Sequence, residues 1–159
     1  MNGLRIAMIL AAAALGGCGT EPIYRPTRGG YLGSAISDRS TWALSGTLSE
    51  ASLAADNSLA TAARSGEHST GAELVIDLNA LCVFQTVILD HGAAQQGHCR
   101  QVSVATSMDG TNWVDRHAGP GTRRVTVLSM PLAVMARYVR LRALAGDDQP
   151  WTIAEVYLQ

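Results

Sequence analysis

The 159-residue sequence contains no lysine. All twelve of its basic residues are arginines, and thirteen acidic residues bring the formal net charge to −1. A chain without a basic excess lacks the positive field that attracts nucleic acid, so DNA and RNA binding are disfavoured. Aromatic residues are also scarce, at 5% of the chain, although 47% of it is hydrophobic. This composition is too apolar for a disordered chain and fits one globular domain.

Long apolar runs are missing as well. The longest, residues 6–15, would span about 15 Å as a helix, which is half of the roughly 30 Å hydrocarbon core of a bilayer. This run follows a single positive charge at Arg5 and ends at Gly16-Gly17-Cys18. A short apolar run with these flanks is typical of a cleaved signal peptide rather than a membrane-spanning helix, and we assign the peptide to residues 1–17.

The end of this segment, Leu15-Gly16-Gly17-Cys18, resembles the bacterial lipobox, in which the cysteine receives a diacylglycerol and becomes the first residue of the mature protein. The alternative is an ordinary secretory signal with an incidental cysteine. Lipidation of Cys18 would anchor the chain to a membrane. Gly19, where an aspartate would retain a lipoprotein in the inner membrane, favours the outer membrane of the cell envelope, on its periplasmic or its surface face. Residues 18–37, with their prolines and glycines, are expected to form a flexible tether to a domain at residues 38–159.

The rest of the chain has the pattern of short β-strands. β-branched and apolar residues concentrate in five segments that turn residues separate, and several of them alternate apolar with polar positions. The segments are residues 74–78, 83–89, 101–106, 124–128 and 138–142. Asp109-Gly110 lies between two apolar stretches and predicts a hairpin turn. We therefore predict an all-β sandwich.

Six pieces of sequence, in this order and spacing, resemble the discoidin family, which is also called the coagulation factor V/VIII C-type domain and includes the family 32 carbohydrate-binding modules. The pieces are Trp42, residues 55–61, residues 75–78, residues 107–113, residues 136–141 and residues 150–156. The resemblance extends from about residue 38 to the end of the chain. It implies a jelly-roll β-sandwich with galactose-binding-domain-like topology.

The resemblance also implies a structural calcium ion, which the family usually holds between a loop and a glutamate near the C-terminus. The matching positions are Asp56, Ser58, Thr61 and Glu155. Oxygen ligands of this kind suit Ca²⁺, which takes six to eight of them. The alternative is that Asp56 and Asn57 only form an Asx-turn and that Glu155 is a solvated charge at a strand end.

A sugar site, where the family has one, lies on loops at one end of the sandwich and combines an aromatic platform with hydrogen-bonding side chains. This sequence departs from that pattern, because Ala63 stands where the family commonly has tryptophan, Arg64 stands where galactose binders often have histidine, and Ala94 stands where they place an arginine. The remaining candidates for ligand binding are Arg64, Glu67, His68, His91, Arg116 and His117. The three tryptophans match positions that pack the family's scaffold, and we assign Trp42, Trp113 and Trp151 to the core.

Two cysteines remain once Cys18 is assigned to lipid. An exported protein can form disulfides, and a bond between Cys82 and Cys99 would close a loop of about seventeen residues and stabilise the fold by about 3 kcal/mol. The alternative is a zinc site in which His91 and His98 join the two thiols. The spacing lacks the usual zinc-binding motifs, so we favour the disulfide.

No enzyme motif is present. The sequence has no G-x-S-x-G elbow, no H-E-x-x-H, no phosphate-binding loop and no marked carboxylate pair. We therefore predict a non-catalytic binding module, monomeric as a domain, that is anchored in the bacterial envelope and recognises a glycan. The alternative is a structural or accessory lipoprotein that binds a protein partner in an envelope complex.

Overall fold

The computed structural model describes residues 36–94, 96–146 and 148–159. The predicted signal peptide, Cys18 and most of the predicted tether lie outside the described residues. Among those described, the only helical segments are two 3₁₀ turns, Arg39–Thr41 and Ala51–Ala55. No helix in this part of the chain has the length and apolar character needed to cross a membrane.

Antiparallel strands make up the domain, which confirms the all-β prediction. The strands are β1 (Ala43–Gly46), β2 (Ala63–Arg64), β3 (Glu73–Asp90), β4 (Gln101–Ser107), β5 (Val114–Pro120), β6 (Val125–Ala145), β7 (Thr152–Ile153) and β8 (Glu155–Leu158). The large sheet has the order β1-β3-β6-β4-β5, and β8 pairs with β3 in addition. A small second sheet pairs β2 with β7. This pairing brings β2 next to the C-terminal part of the chain.

Two strands are much longer than predicted. The segments 74–78 and 83–89 are both parts of β3, and the segments 124–128 and 138–142 are both parts of β6. Local alternation breaks where the β3–β6 register shifts, between Asp77 and Cys82 and again between Phe84 and Thr86. A bulge adds a residue to one strand and so changes which positions face the core. Each long strand therefore looks like two short ones in the sequence.

Buried aliphatic side chains of both long strands form the core, together with two of the tryptophans. Trp42 and Trp151 are buried, as predicted. Trp113 is only half-buried, and the guanidinium of Arg140 lies 4.5 Å from its ring centre. The assignment of Trp113 to the core was therefore wrong, because it lies on the outer face of the sheet, where a long polar side chain covers it.

The predicted hairpin turn joins β4 to β5. Gly110 has a positive φ of 77°, which a residue without a Cβ adopts readily. Asp109 accepts hydrogen bonds from the backbone N–H groups of Asn112 and Thr111, each at 2.8 Å. These bonds, first among them the one from Asn112, hold the pKa of Asp109 well below its usual value. The turn is thus stabilised by an ionised carboxylate.

The disulfide prediction is contradicted, because Cys82 and Cys99 are both buried free thiols. Cys82 lies opposite Ala136 on β6, whereas Gln101, two residues after Cys99, lies opposite Ala145. Nine positions along a strand correspond to about 30 Å, and a disulfide requires Cα atoms within about 7 Å. The zinc alternative fails as well, since no cluster of three or more metal-binding side chains forms among the residues that the structure describes.

Candidate functional site

The four residues predicted to bind calcium lie together. Asp56 Oδ1 accepts a hydrogen bond from Ser58 N at 2.9 Å, and Asp56 Oδ2 accepts one from the Thr61 hydroxyl at 2.6 Å. Ser58 N also donates to Glu155 Oε1 at 2.8 Å, which links the loop to β8. The Asx-turn of the alternative interpretation is therefore present, but Glu155 is not solvated, since only 1% of it is exposed.

Arg39, which the sequence analysis missed, lies in the same cluster. Its Nη2 bonds to Glu155 Oε2, and its Nη1 donates to the side-chain oxygen of Asn57 at 2.9 Å. The guanidinium carbon lies 4.5 Å from the ring centre of Tyr157 and 5.8 Å from that of Trp42. A cation stacked on aromatic faces is stabilised by their quadrupoles. We call Arg39, Asp56, Asn57, Ser58, Thr61 and Glu155 the Arg39 cluster.

The Arg39 cluster does not fit a calcium ion as it is folded. It contains only two carboxylates, and all four of their oxygens already accept hydrogen bonds from Ser58, Thr61 and Arg39. Calcium takes six to eight oxygen ligands, and a guanidinium bonded to one carboxylate supplies a competing positive charge. The calcium ion that the family resemblance implies therefore finds no carboxylate oxygen without a hydrogen-bond donor in this cluster.

A cleft lies at one end of the sandwich, where the pairing of β2 with β7 places Arg64 opposite Thr152. Its volume is about 440 Å³, within the range of small-molecule sites. The lining residues are Arg64, Ala93, Ala94, Gln96, Gly97, Gln149, Pro150 and Thr152. We call this the loop-end cleft. It offers one guanidinium and two side-chain amides between small, apolar walls.

Glu67 and His68 are exposed and do not line the loop-end cleft. His68 Nδ1 lies 3.7 Å from Asp148 Oδ1, and both side chains are largely in solvent. A pair of this kind contributes little to stability or to recognition. Of the candidates in this stretch of sequence, only Arg64 faces the cleft.

His91 is fully buried, so its assignment as a ligand-binding residue was wrong. Its Nδ1 lies 2.6 Å from the backbone carbonyl oxygen of Thr152, and its Nε2 lies 3.0 Å from the hydroxyl of Thr126. A carbonyl oxygen can only accept, so Nδ1 carries the proton. Burial lowers the pKa of His91, although the bond to Thr152 opposes this effect. The neutral imidazole therefore joins three segments of the scaffold.

Arg116 and His117 lie in a different place, on the face of the large sheet. They line a groove of about 460 Å³ whose floor consists of Ser103 and Ala105 of β4. Arg140 and Arg142 of β6 form the facing wall, and the register places them opposite Ala105 and Ser103. We call this the arginine groove. The ligand-binding residues predicted from the sequence thus divide between the loop-end cleft, the arginine groove, the exposed surface and the core.

Charges in the arginine groove are partly paired. Glu73 Oε2 lies 2.9 Å from Arg142 Nη2 and 3.8 Å from Arg140 Nε. Arg116 Nε donates to the hydroxyl of Thr106 at 2.8 Å. The groove is a charged outer sheet face of a kind common in β-sandwiches.

The F5/8 type C domain family matches residues 33–156, which is most of the chain and includes the Arg39 cluster and the loop-end cleft. The chain belongs to this family. The resemblance found in the sequence is therefore confirmed. A search of curated proteins found no match.

Solved structures similar to this F5/8 type C domain include several family 32 carbohydrate-binding modules. CpGH89CBM32-5 from Clostridium perfringens, solved in complex with GalNAc-β-1,3-galactose, has a TM-score of 0.69 at 16% identity, over 76% of this chain and 96% of its own. The family 32 module of C. perfringens NanJ, solved with galactose, has a TM-score of 0.67 at 16% identity, over 79% and 98%. A chitosan-binding module from Paenibacillus sp. IK-5 has a TM-score of 0.63 at 22% identity, over 78% and 95%. These matches confirm the jelly-roll β-sandwich.

In this F5/8 type C domain, two of the three departures noted in the sequence line the loop-end cleft, namely Arg64 and Ala94. The third, Ala63, is fully buried and does not line it. Gln96 and Gln149 provide polar groups that the sequence analysis missed, because no local pattern marks a glutamine in a loop as part of a site.

Proposed function

We propose that this chain is a non-catalytic module that binds a glycan in the loop-end cleft. The observation that carries the proposal is the combination in one cleft of the Arg64 guanidinium with the amides of Gln96 and Gln149. The guanidinium donates hydrogen bonds and the amides both donate and accept them, which are the interactions that sugar hydroxyls make. The solved relatives include modules with galactose and GalNAc-β-1,3-galactose bound, which supports a sugar as the ligand class.

The ligand is expected to differ from that of galactose binders. None of the described residues that line the loop-end cleft is aromatic, so they offer a sugar ring no platform to stack on. Ala94 and Arg64 replace the residues with which galactose binders hold their ligand. Binding would depend instead on hydrogen bonds from Arg64 to hydroxyl or carboxylate groups of the sugar.

The proposed setting is the envelope of a bacterial cell. The signal peptide at residues 1–17 and the lipid on Cys18 would anchor the module in the outer membrane, and residues 18–37 would serve as its tether. A tethered module of this kind holds a glycan close to the membrane without altering it. Mass spectrometry of the protein purified from cells tests the anchor, because an unmodified Cys18 would contradict it.

A glycan array followed by isothermal titration calorimetry tests the proposed ligand class. The full chain with Cys18→Ser is screened against galactosides, glucans, uronic-acid polymers and peptidoglycan fragments. We expect binding in at least one class, and Arg64→Ala should weaken it at least tenfold. Absence of binding in all four classes would overturn the glycan proposal.

Exposed apolar side chains favour one second candidate, an accessory role with a protein partner. Met108, Val114 and Met135 are 51%, 50% and 40% exposed, and they line one groove of about 220 Å³ beside the β4–β5 hairpin. Exposed apolar clusters often mark protein interfaces, and methionine adapts to varied partner surfaces. Photo-crosslinking from position 114 in intact cells tests this candidate; failure to recover a stoichiometric partner would contradict it.

A further inference from the structure

We propose that the guanidinium of Arg39 takes the structural place of calcium in this domain, so that the fold is independent of the metal. The residues of the Arg39 cluster carry this proposal, which does not depend on the proposed glycan site. Glu155 is buried, with only 1% of it exposed. A carboxylate removed from water needs a positive partner within a few ångströms, because an unpaired buried charge is strongly destabilising.

Arg39 supplies that partner from within the chain. Its Nη2 bonds to Glu155 Oε2, while its side chain is itself only 19% exposed. The pair joins residues 116 positions apart. An internal cation does the work that a bound divalent ion would otherwise do, and it is present at every calcium concentration.

The surroundings of Arg39 match a cation site and not an exposed arginine. Tyr157 lies two positions after Glu155 on β8, so both side chains project from the same face of the strand. The ring of Tyr157 packs on the guanidinium, and Trp42 packs beside it. Arg39 Nε is buried without an acceptor among the described residues, so the hydrogen bonds that hold this side chain come from its two terminal nitrogens.

The cluster joins three distant parts of the chain. Arg39 belongs to the turn that enters the domain, Asp56, Asn57, Ser58 and Thr61 belong to one loop, and Glu155 begins the last strand. Asn57 and Ser58 connect the loop to Arg39 and to Glu155. The same loop leads into β2, which carries Arg64. The position of Arg64 is therefore expected to be independent of calcium.

Thermal unfolding of the full chain, purified in detergent, tests the proposal. The midpoint is measured in EGTA, in millimolar CaCl₂ and in MgCl₂ of equal ionic strength. We expect the same midpoint for the wild-type chain in all three. A rise that is specific to calcium in the wild-type chain would overturn the proposal.

The same three measurements on the variant Arg39→Ala provide the second part of the test. Removing the guanidinium leaves Glu155 buried and unpaired, so the midpoint in EGTA should fall by about 10 °C or more. Calcium, but not magnesium, should then raise the midpoint of this variant, because Glu155 Oε2 loses its partner and the competing positive charge is removed. Lack of any calcium response in Arg39→Ala would also overturn the proposal.

Two further variants control the experiment. Arg142→Ala removes an arginine that is half exposed and paired with Glu73 on the sheet face, and it should show neither a large fall nor a calcium response. Arg39→Lys retains the positive charge and keeps the test decisive if Arg39→Ala does not fold. It should fold with a lowered midpoint and remain indifferent to calcium. If calcium raised the midpoint of Arg39→Lys, the claim that a positive charge at position 39 takes the place of calcium would be contradicted.

Discussion

His91 Nδ1 lies 2.6 Å from the backbone carbonyl oxygen of Thr152, and this hydrogen bond ties the end of β3 to β7. The two residues are 61 positions apart, and β7 in turn pairs with the strand that carries Arg64. The scaffold beneath the loop-end cleft therefore depends on an imidazole that stays neutral.

Acid should weaken the domain through His91. Burial lowers its folded-state pKa, whereas the unfolded chain has a histidine pKa of about 6.5. As the pH falls below about 6.5, the unfolded state binds a proton that the folded state does not, so the free energy of unfolding decreases. One proton contributes at most about 1.4 kcal/mol per pH unit. Urea unfolding between pH 7.5 and pH 5 measures the slope.

The matched variants for this prediction are His91→Gln and His68→Gln. His91→Gln should be less stable at neutral pH but should lose less stability on acidification. His68→Gln serves as the control, because His68 is exposed and its replacement removes no group from the core. Parallel pH profiles for the wild-type chain and His91→Gln would contradict the assignment.

The two thiols of the folded domain should resist modification. Cys82 and Cys99 are buried, and burial raises the pKa of Cys99 to about 12. At pH 8 only about one in ten thousand such thiols is ionised, and the thiolate is the reactive form. In the Cys18→Ser chain, Ellman's reagent should react with neither thiol under native conditions and with both in denaturant. A chain with no titratable thiols in denaturant before reduction would instead support the disulfide.

Gly92 should tolerate no larger residue, since it allows the 56–61 loop to approach β7 and β8. Its φ is +56°, and a Cβ at this position would lie 2.6 Å from the carbonyl oxygen of Leu59 and 2.9 Å from the Cβ of Ala154. Left-handed backbone strain and overpacking together should cost Gly92→Ala about 2 kcal/mol or more.

Two other glycines distinguish the effect of backbone strain from the effect of overpacking. Gly71 has a φ of +83° but open space around it, so Gly71→Ala should lose only about 1 kcal/mol. Gly66 has neither a positive φ nor a neighbour within 4 Å, so Gly66→Ala should be neutral. Chemical denaturation of the three variants measures whether their losses of stability follow this order. Equal losses for Gly92→Ala and Gly71→Ala would show that the close approach to Leu59 is unimportant.

Glycan binding should depend on Arg64 and not on the arginine groove. Arg64→Ala should weaken binding at least tenfold, because a charge-assisted hydrogen bond to the ligand is lost. Arg116→Ala serves as the control, since Arg116 lines the arginine groove and not the loop-end cleft. Titration calorimetry with the best ligand from the array measures both. A loss confined to Arg116→Ala would move the site to the sheet face.

Local features of the chain were predictable because they depend on neighbours in sequence. The all-β class follows from alternating apolar residues, and the β4–β5 hairpin follows from Asp109-Gly110. Six short pieces in order were enough to identify the family. The grouping of Asp56, Ser58 and Thr61 is equally local, since an Asx-turn forms within a few residues.

Tertiary structure decided everything that depends on distant partners. The register shifts that make β3 and β6 each look like two short segments arise in the pairing of these two strands, which lie far apart in sequence. The position of His91 in the core depends on Thr126 and Thr152, and nothing near it in sequence distinguishes it from a surface histidine. Arg39 gives the clearest case, because its partner Glu155 lies 116 positions away and the ring of Tyr157 is on the same distant strand as Glu155. The residues next to a charged side chain in sequence do not show which other charge will be buried with it in the fold. Because Arg39 and Glu155 are removed from water together, breaking their pair would be strongly destabilising.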